Sequence, residues 1–215
     1  MSVSTPSSAR ALAGALDAHC AALGACRRCA HAPGVLPILS RARAPRAMLV
    51  GQAPGKTEMA GGRPFAGRAG RTLFQWLARA GLDEAAAREW LYIAAVTRCF
   101  PGPHPGGRGD RVPSPSERAR CGEWIADELR LIRPRVIVPV GRLAIDRFLG
   151  PLPLDEVVGQ AHDVEHEGGR SVVIPLPHPS GASSWIHVPA HRALLHDALD
   201  LLAGYVPRRR ARSVA

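Results

Sequence analysis

Short apolar runs alternate with longer amphipathic stretches along this chain. Residues 47–50, 91–97, 135–140 and 171–176 are the apolar runs, and their length and continuity suit strands buried in a parallel sheet. Helical patterns fill the intervals. Residues 11–23 are rich in Ala and Leu and stop at Gly24. Residues 71–80 place Leu73, Phe74 and Leu77 on one face and stop at Gly81. A short helix is expected near 83–89, and longer ones over 116–131, with Ser114 or Ser116 as cap, 141–149 and 189–202. Strands alternating with helices argue for an α/β fold whose sheet is covered on both faces. Residues 1–10 are expected to be disordered, 11–204 to form one domain and 205–215 a basic tail. Residues 30–45 read as a surface loop and 155–170 as an irregular, polar, hairpin-like segment.

Two connections are too rich in glycine and proline to be plain linkers. The first leaves the strand at 47–50 as Gly51-Gln-Ala-Pro-Gly-Lys-Thr-Glu58 and continues through Gly61, Gly62, Pro64, Phe65, Gly67 and Gly70. Such a loop past the carboxyl end of a strand is where open α/β sheets bind ligands. Its glycines let backbone N–H groups approach a ligand, and Phe65 offers a flat face to a planar one. It is neither a Walker A loop nor a G-x-G-x-x-G fingerprint. The pattern keeps its backbone open until a helix begins near Arg71. The second connection, residues 100–115, is long enough to be functional or disordered.

Composition narrows the partner. The 215 residues can bury one substantial core, and 46% are apolar. No apolar run reaches membrane-spanning length, and residues 1–10 lack the order of a signal peptide, so a cytoplasmic, nucleoid-associated monomer is expected. Lys and Arg number 28 against 18 acids, a net charge of +10. Lys56 is the only lysine, and arginine forks match phosphate oxygens. Genomic composition bias would explain arginine in place of lysine but not the excess over acids. Nucleic acid is therefore the expected partner.

The five cysteines are Cys20, Cys26, Cys29, Cys99 and Cys121. Cys26-x-x-Cys29 forms one pair, and Cys99 and Cys121 bracket the second loop. Two such pairs brought together make a four-thiolate site for zinc or for an iron–sulfur cluster, and spacing alone does not choose. Cys20 reads as an ordinary buried thiol.

Gly-Gln-Ala-Pro-Gly-x-x-Glu followed by Gly-Arg-Pro-Phe-x-Gly-x-Ala-Gly resembles the first motif of the uracil-DNA glycosylase superfamily, and His178-Pro-Ser-Gly-Ala-Ser183 resembles its second. The resemblance spans about residues 26–202 and lies nearest the iron–sulfur (family 4) branch. It implies a three-layer α/β/α sandwich with a central four-stranded parallel sheet, and a base-excision enzyme that flips uracil out of DNA, other deaminated bases remaining open. It implies a [4Fe–4S] cluster on Cys26, Cys29, Cys99 and Cys121, with zinc as the alternative. By the same resemblance Phe65 stacks on the base, and Gly51, Gln52, Ala53, Pro54 and Gly55 border it. Ala95 lies at its edge, and His178 donates to the oxygen on which charge develops. Ser180, Gly181, Ala182 and Ser183 meet DNA, as does Arg108.

The departures carry information. Ala95 stands where family 4 has an asparagine, and the strand ending Ile-Ala-Ala-Val resembles the broader-specificity family 5. Gln52 and Ala53 replace the acids of the first motif, so no general base stands there. Ala182 replaces a bulky wedge, which leaves Trp185 or Ile186 to serve, with Trp185 as simple core the equal alternative. The loop through Arg108 and Asp110 resembles an insertion in the uracil-DNA cross-linking branch, and Asp110 aligns with that branch's nucleophilic histidine. A carboxylate there could orient water, or be a solvated loop residue. Three readings follow: a hydrolytic glycosylase, a binding or cross-linking protein with little turnover, and a zinc-stabilised nucleic-acid-binding module.

Overall fold

The structure, a computed structural model, describes residues 6–29, 34–107, 109–180 and 184–207. Strands β1 (Ala47–Gly51), β2 (Leu91–Ala95), β3 (Val136–Pro139), β4 (His162–His166) and β5 (Gly169–Val173) form one sheet in the order β2-β1-β3-β5-β4. The four expected strands pair in parallel, as β2-β1, β1-β3 and β3-β5. The expected count of four is corrected to five: β4 adds antiparallel to β5 within the segment read as an irregular hairpin. Its sequence, His-Asp-Val-Glu-His, alternates half-buried and exposed side chains. Such polar alternation suits an edge strand with one wet face.

Helices cover both sheet faces, giving the expected three layers. Alternation along each parallel strand sends neighbours to opposite sides. On one side Ala47, Leu49, Leu91 and Ile93 meet Leu73, Phe74 and Leu77 of α3 (Arg68–Arg79) and Leu195, Leu199 and Leu202 of the last helix, Pro189–Ala203. On the other, Met48, Val50, Tyr92 and Ile137 meet Leu16 of α1 (Pro6–Gly24) and Ile125 and Leu129 of α5 (Pro115–Ile132). Each buried Leu, Ile, Val, Met or Phe among them contributes about 1.5–3 kcal/mol of transfer free energy. Helix α1 begins at Pro6, so residues 6–10 are helical instead of disordered.

Two differences bear on the site. The first glycine-rich loop is not open throughout. Helix α2 occupies Lys56–Gly61, and α3 starts at Arg68, placing Gly70 inside it. The second is a buried charge network absent from the sequence pattern. Glu128 of α5, fully buried, pairs with Arg98 just past β2. It also accepts from the Tyr92 hydroxyl at 2.8 Å and lies 3.2 Å from His19 Nε2 on α1. The network ties α1, α5 and β2 together. Removing one partner would leave a buried charge, at a cost of about 3–5 kcal/mol.

The strand order puts the crevice where the chain reverses direction across the sheet. β1 is followed by β2 on one flank and β3 on the other, so loops diverge above the carboxyl end of β1. Gly51 pairs with Ala95 there, which sets the two strand ends level.

Candidate functional site

A cavity of about 140 Å³ opens at this crevice, and its lining includes Gly51, Gln52, Ala53, Pro54, Gly55, Phe65, Ala95, Asp110 and His178. Drug-sized ligands occupy pockets of ~300–1,000 Å³, so this one suits a single small ring. Nine of the expected site residues, drawn from four separate segments, thus share one cavity. Ser180 stands behind His178 instead of lining it. Gly181, Ala182, Ser183 and Arg108 lie outside the described residues. Ile38, Val140 and Ala69 complete the walls. Val140 ends an expected strand, but Ile38 corrects the reading of residues 30–45 as a surface loop: Ile38, Ser40 and Ala42 are buried there, and Ser40 Oγ accepts from Ile93 N at 3.1 Å, while Ala69 lies in the first turn of α3.

His178 is held as a neutral donor. The backbone N–H of Ser180 donates to His178 Nδ1 at 3.2 Å, and the Ser180 hydroxyl lies 2.8 Å from the same nitrogen. Nδ1 therefore serves as an acceptor, and the ring hydrogen belongs on Nε2. Burial lowers the pKa of the imidazole, which favours the neutral form. Gly141 backs the ring: its φ is 82°, and a Cβ there would stand 2.9 Å from His178 Cδ2.

Glu58 braces the first-motif loop. Its two carboxylate oxygens accept from Gly55 N and Gly67 N, each at 3.0 Å, joining the two ends of the segment around α2. Asp110 faces the same corner from the mouth of the cavity, where it remains exposed to solvent on its outer side. A Cβ on Gly55 would come within 2.8 Å of Asp110 Oδ2 and 2.9 Å of Glu58 Oε2, so a larger residue there would have to push these carboxylates aside. Partial burial, and then the charge of Glu58, raise the pKa of Asp110. Glu58 already serves two amides, which leaves Asp110 as the carboxylate free to meet a ligand.

The loop bearing Asp110 is tied to α5. Arg111 donates to both Glu117 oxygens, at 2.7 and 2.5 Å. Ser114 caps α5 by accepting from Glu117 N at 3.2 Å, while Glu117 accepts from Ser114 N at 2.8 Å. The cap is Ser114, of the two serines expected, and the reciprocal bonds make a capping box.

A second cavity of about 380 Å³ is bordered by Cys26, Cys29, Cys99 and Cys121, with Arg27, Arg28, Arg98, Arg120, Thr97 and Trp124 around them. Cys20 lies elsewhere, 3.8 Å from the Tyr92 hydroxyl. Burial pushes Cys99 up to about 12, and Cys121, Cys29 and Cys26 push it the same way, as close like charges do. Four buried polar atoms around this cavity have no hydrogen-bond partner: Thr97 Oγ1, Arg98 Nε and Nη1, and Trp124 Nε1. Buried donors of this kind call for an acceptor-rich group. No group of three or more His, Cys, Asp or Glu among the described residues is gathered for one metal ion. The four cysteines that border this cavity, with arginines and unpaired donors beside them, are the residues that could hold a metal or a cluster.

Trp185, offered by the sequence either as a wedge or as core, stacks on His191 with ring centroids 4.3 Å apart and packs against the core. That geometry gives it an anchoring role. No described helix is long and apolar enough to cross a membrane.

Comparison with known proteins agrees with this geometry. Residues 39–199 match the family model of the uracil DNA glycosylase superfamily. A type-4 uracil-DNA glycosylase of Archaeoglobus fulgidus is 36% identical over 138 residues, 62% of this chain and 64% of the relative. That of Thermotoga maritima is 35% identical over 135 residues, 63% of this chain and 65% of the relative. A type-5 uracil-DNA glycosylase of Pyrobaculum aerophilum is 33% identical over 112 residues, 46% of each chain. The matched stretch thus spans just under two thirds of the two type-4 relatives.

Proposed function

The chain belongs to the uracil DNA glycosylase superfamily, and from that premise we propose that it hydrolyses the N-glycosidic bond of uracil in DNA as a base-excision repair enzyme. The observation that carries this reading is the convergence of Gln52, Phe65, Asp110 and His178 on one ring-sized cavity. A base must leave the duplex stack to enter it. Phe65 would stack on the flipped base, while the backbone of Gln52 and Ala53 borders its carbonyl edge. As the bond breaks, its electrons leave with the base, and negative charge grows on a uracil oxygen. Neutral His178 meets that oxygen with Nε2–H, an oxyanion-type stabilisation. Asp110 orients the water that attacks the anomeric carbon and takes its proton, which completes hydrolysis to an abasic sugar and free uracil. Ala95 offers no side-chain amide at the base edge, which leaves room for other deaminated bases.

We assign Cys26, Cys29, Cys99 and Cys121 to a [4Fe–4S] cluster, with Arg98 and Trp124 supplying donors around it. When bound, the cluster would supply a cross-link among the chain after α1, the β2–α5 loop and α5, at a distance from the reacting bond. Nucleic acid as partner is supported by the +10 charge and by the exposed Lys56, Arg68 and Arg71 flanking the Phe65 segment.

A uracil-containing oligonucleotide tests the reaction. Alkali-labile abasic product and free uracil are expected. A covalent or merely retained complex without base release would instead favour the cross-linking or binding reading.

A further inference from the structure

Phe65 has a backbone φ of 52°, in the left-handed region that a bulky side chain rarely adopts. Such a conformation persists only when its surroundings hold it. Three contacts do so. The ring lies over Gly51, where a Cβ would stand 2.9 Å from Phe65 Cζ. The backbone rests on Gly70 in α3, where a Cβ would stand 1.9 Å from Phe65 O. The third contact is a charge. Arg88, on α4 (Glu84–Trp90), donates from Nη1 to Pro64 O at 3.0 Å and from Nη2 to Phe65 O at 3.4 Å.

Arg88 is itself fixed. Its Nε donates to Glu84 Oε1 at 2.9 Å one turn earlier, and its guanidinium lies 4.5 Å from the Phe74 ring centroid. The side chain is only 21% exposed. It is absent from the lining of the ring-sized cavity, so it acts on that site only through Pro64 and Phe65.

We propose that Arg88 is a positioning residue for base capture: its fork holds two successive carbonyls, fixes the left-handed turn and aims the Phe65 ring into the cavity. The inference rests on reading that cavity as the base-binding site. A lysine cannot replace the fork. One ammonium lacks the planar geometry that serves two carbonyls, a carboxylate and an aromatic face together.

The test compares Arg88→Lys and Phe65→Ala with the wild-type holoenzyme, using single-turnover excision from a uracil oligonucleotide and ¹⁹F spectra of protein labelled with 4-fluorophenylalanine. Arg88→Lys should keep the fold and slow excision by about 10- to 100-fold, the range for small misplacements of a binding group. It should move or broaden the resonances of Phe65 and its neighbour Phe74 and leave those of Phe100 and Phe148 unchanged. Excision at the wild-type rate with an unmoved Phe65 resonance would overturn the inference, provided Phe65→Ala is slow. If Phe65→Ala excises at the wild-type rate, the base-stacking reading fails instead. The Phe65 resonance in Arg88→Lys then still decides whether the clamp exists.

Discussion

At the residue scale, the site divides into positions that announce themselves and positions that do not. His178 is legible because it follows an apolar run and sits between Pro177 and Pro179. Gly55 is legible as a loop glycine, but the approach of Asp110 from a distant loop to within 2.8 Å of where its Cβ would stand is not. Arg98 and Glu128 left no local signal, since they pair with each other 30 residues apart, and the carbonyls that Arg88 holds lie 23 and 24 residues before it. Asp110 carries the sharpest consequence at this scale. Gln52, Ala53 and Ala95 cannot ionise at neutral pH, and Glu58 is committed to two amides. Asp110→Asn should therefore lower the single-turnover rate by about 10²–10⁴-fold, the span of a lost general base, with DNA affinity nearly unchanged. The raised pKa of Asp110 sets the sign of the pH effect. The carboxylate is protonated as pH falls through a value above its ordinary 3.8, so the wild-type rate should fall on the acid side sooner than an unshifted Asp allows. A pH–rate profile of the two proteins checks this, and an acid limb unchanged in Asp110→Asn would remove Asp110 from the chemistry.

At the element scale, the parallel strands and long helices were readable from apolar periodicity, whereas β4 and α2 were not. The five residues of β4 are mostly polar and pair only at an edge. Helix α2 is six residues of Lys-Thr-Glu-Met-Ala-Gly with no buried side chain, so no apolar stripe marks it. The start of α5 matters most for function, because it anchors the Asp110 loop. The Arg111 side chain, with help from Ser114, holds Glu117 down to about 2 from its ordinary 4.5. A depressed carboxylate contributes stability above its unfolded pKa and loses it as pH falls through the folded one. The wild-type protein should thus lose that contribution between about 4.5 and about 2. Glu117→Gln should lack this acid-range dependence and already be less stable at neutral pH. Denaturant titrations across that pH range decide the matter, and parallel stability curves for the two proteins would show that the Arg111–Glu117 pair contributes nothing.

At the scale of the whole molecule, two cavities sit on one continuous piece of chain. Ala95 lines the ring-sized cavity, while Thr97, Arg98 and Cys99 border the cysteine-lined one. Between them Val96 N donates to Gly51 O at 2.9 Å and Thr97 N to Gln52 O at 3.2 Å, extending the sheet into the site loop. The pairing of the cysteines was legible as spacing, but the ring of arginines and unpaired donors around them emerges only on folding. Loss of the cluster should therefore disturb the base cavity through this stretch. Cys99→Ser is expected to lose iron and visible absorption and to excise poorly, and Cys20→Ser to retain both iron and activity. Iron analysis of the purified variants tests this, and full iron in Cys99→Ser would defeat the ligand assignment.

On the proposed function, the ring-sized cavity beneath Phe65 and His178 is where a base is cut from DNA. Single-turnover excision by His178→Ala, measured on protein with normal iron content and unchanged melting temperature, addresses it most directly. Removing one oxyanion donor from a dry site costs about 10²–10³ in rate, and that drop is the expected result. Uracil release at the wild-type rate by His178→Ala would contradict the claim.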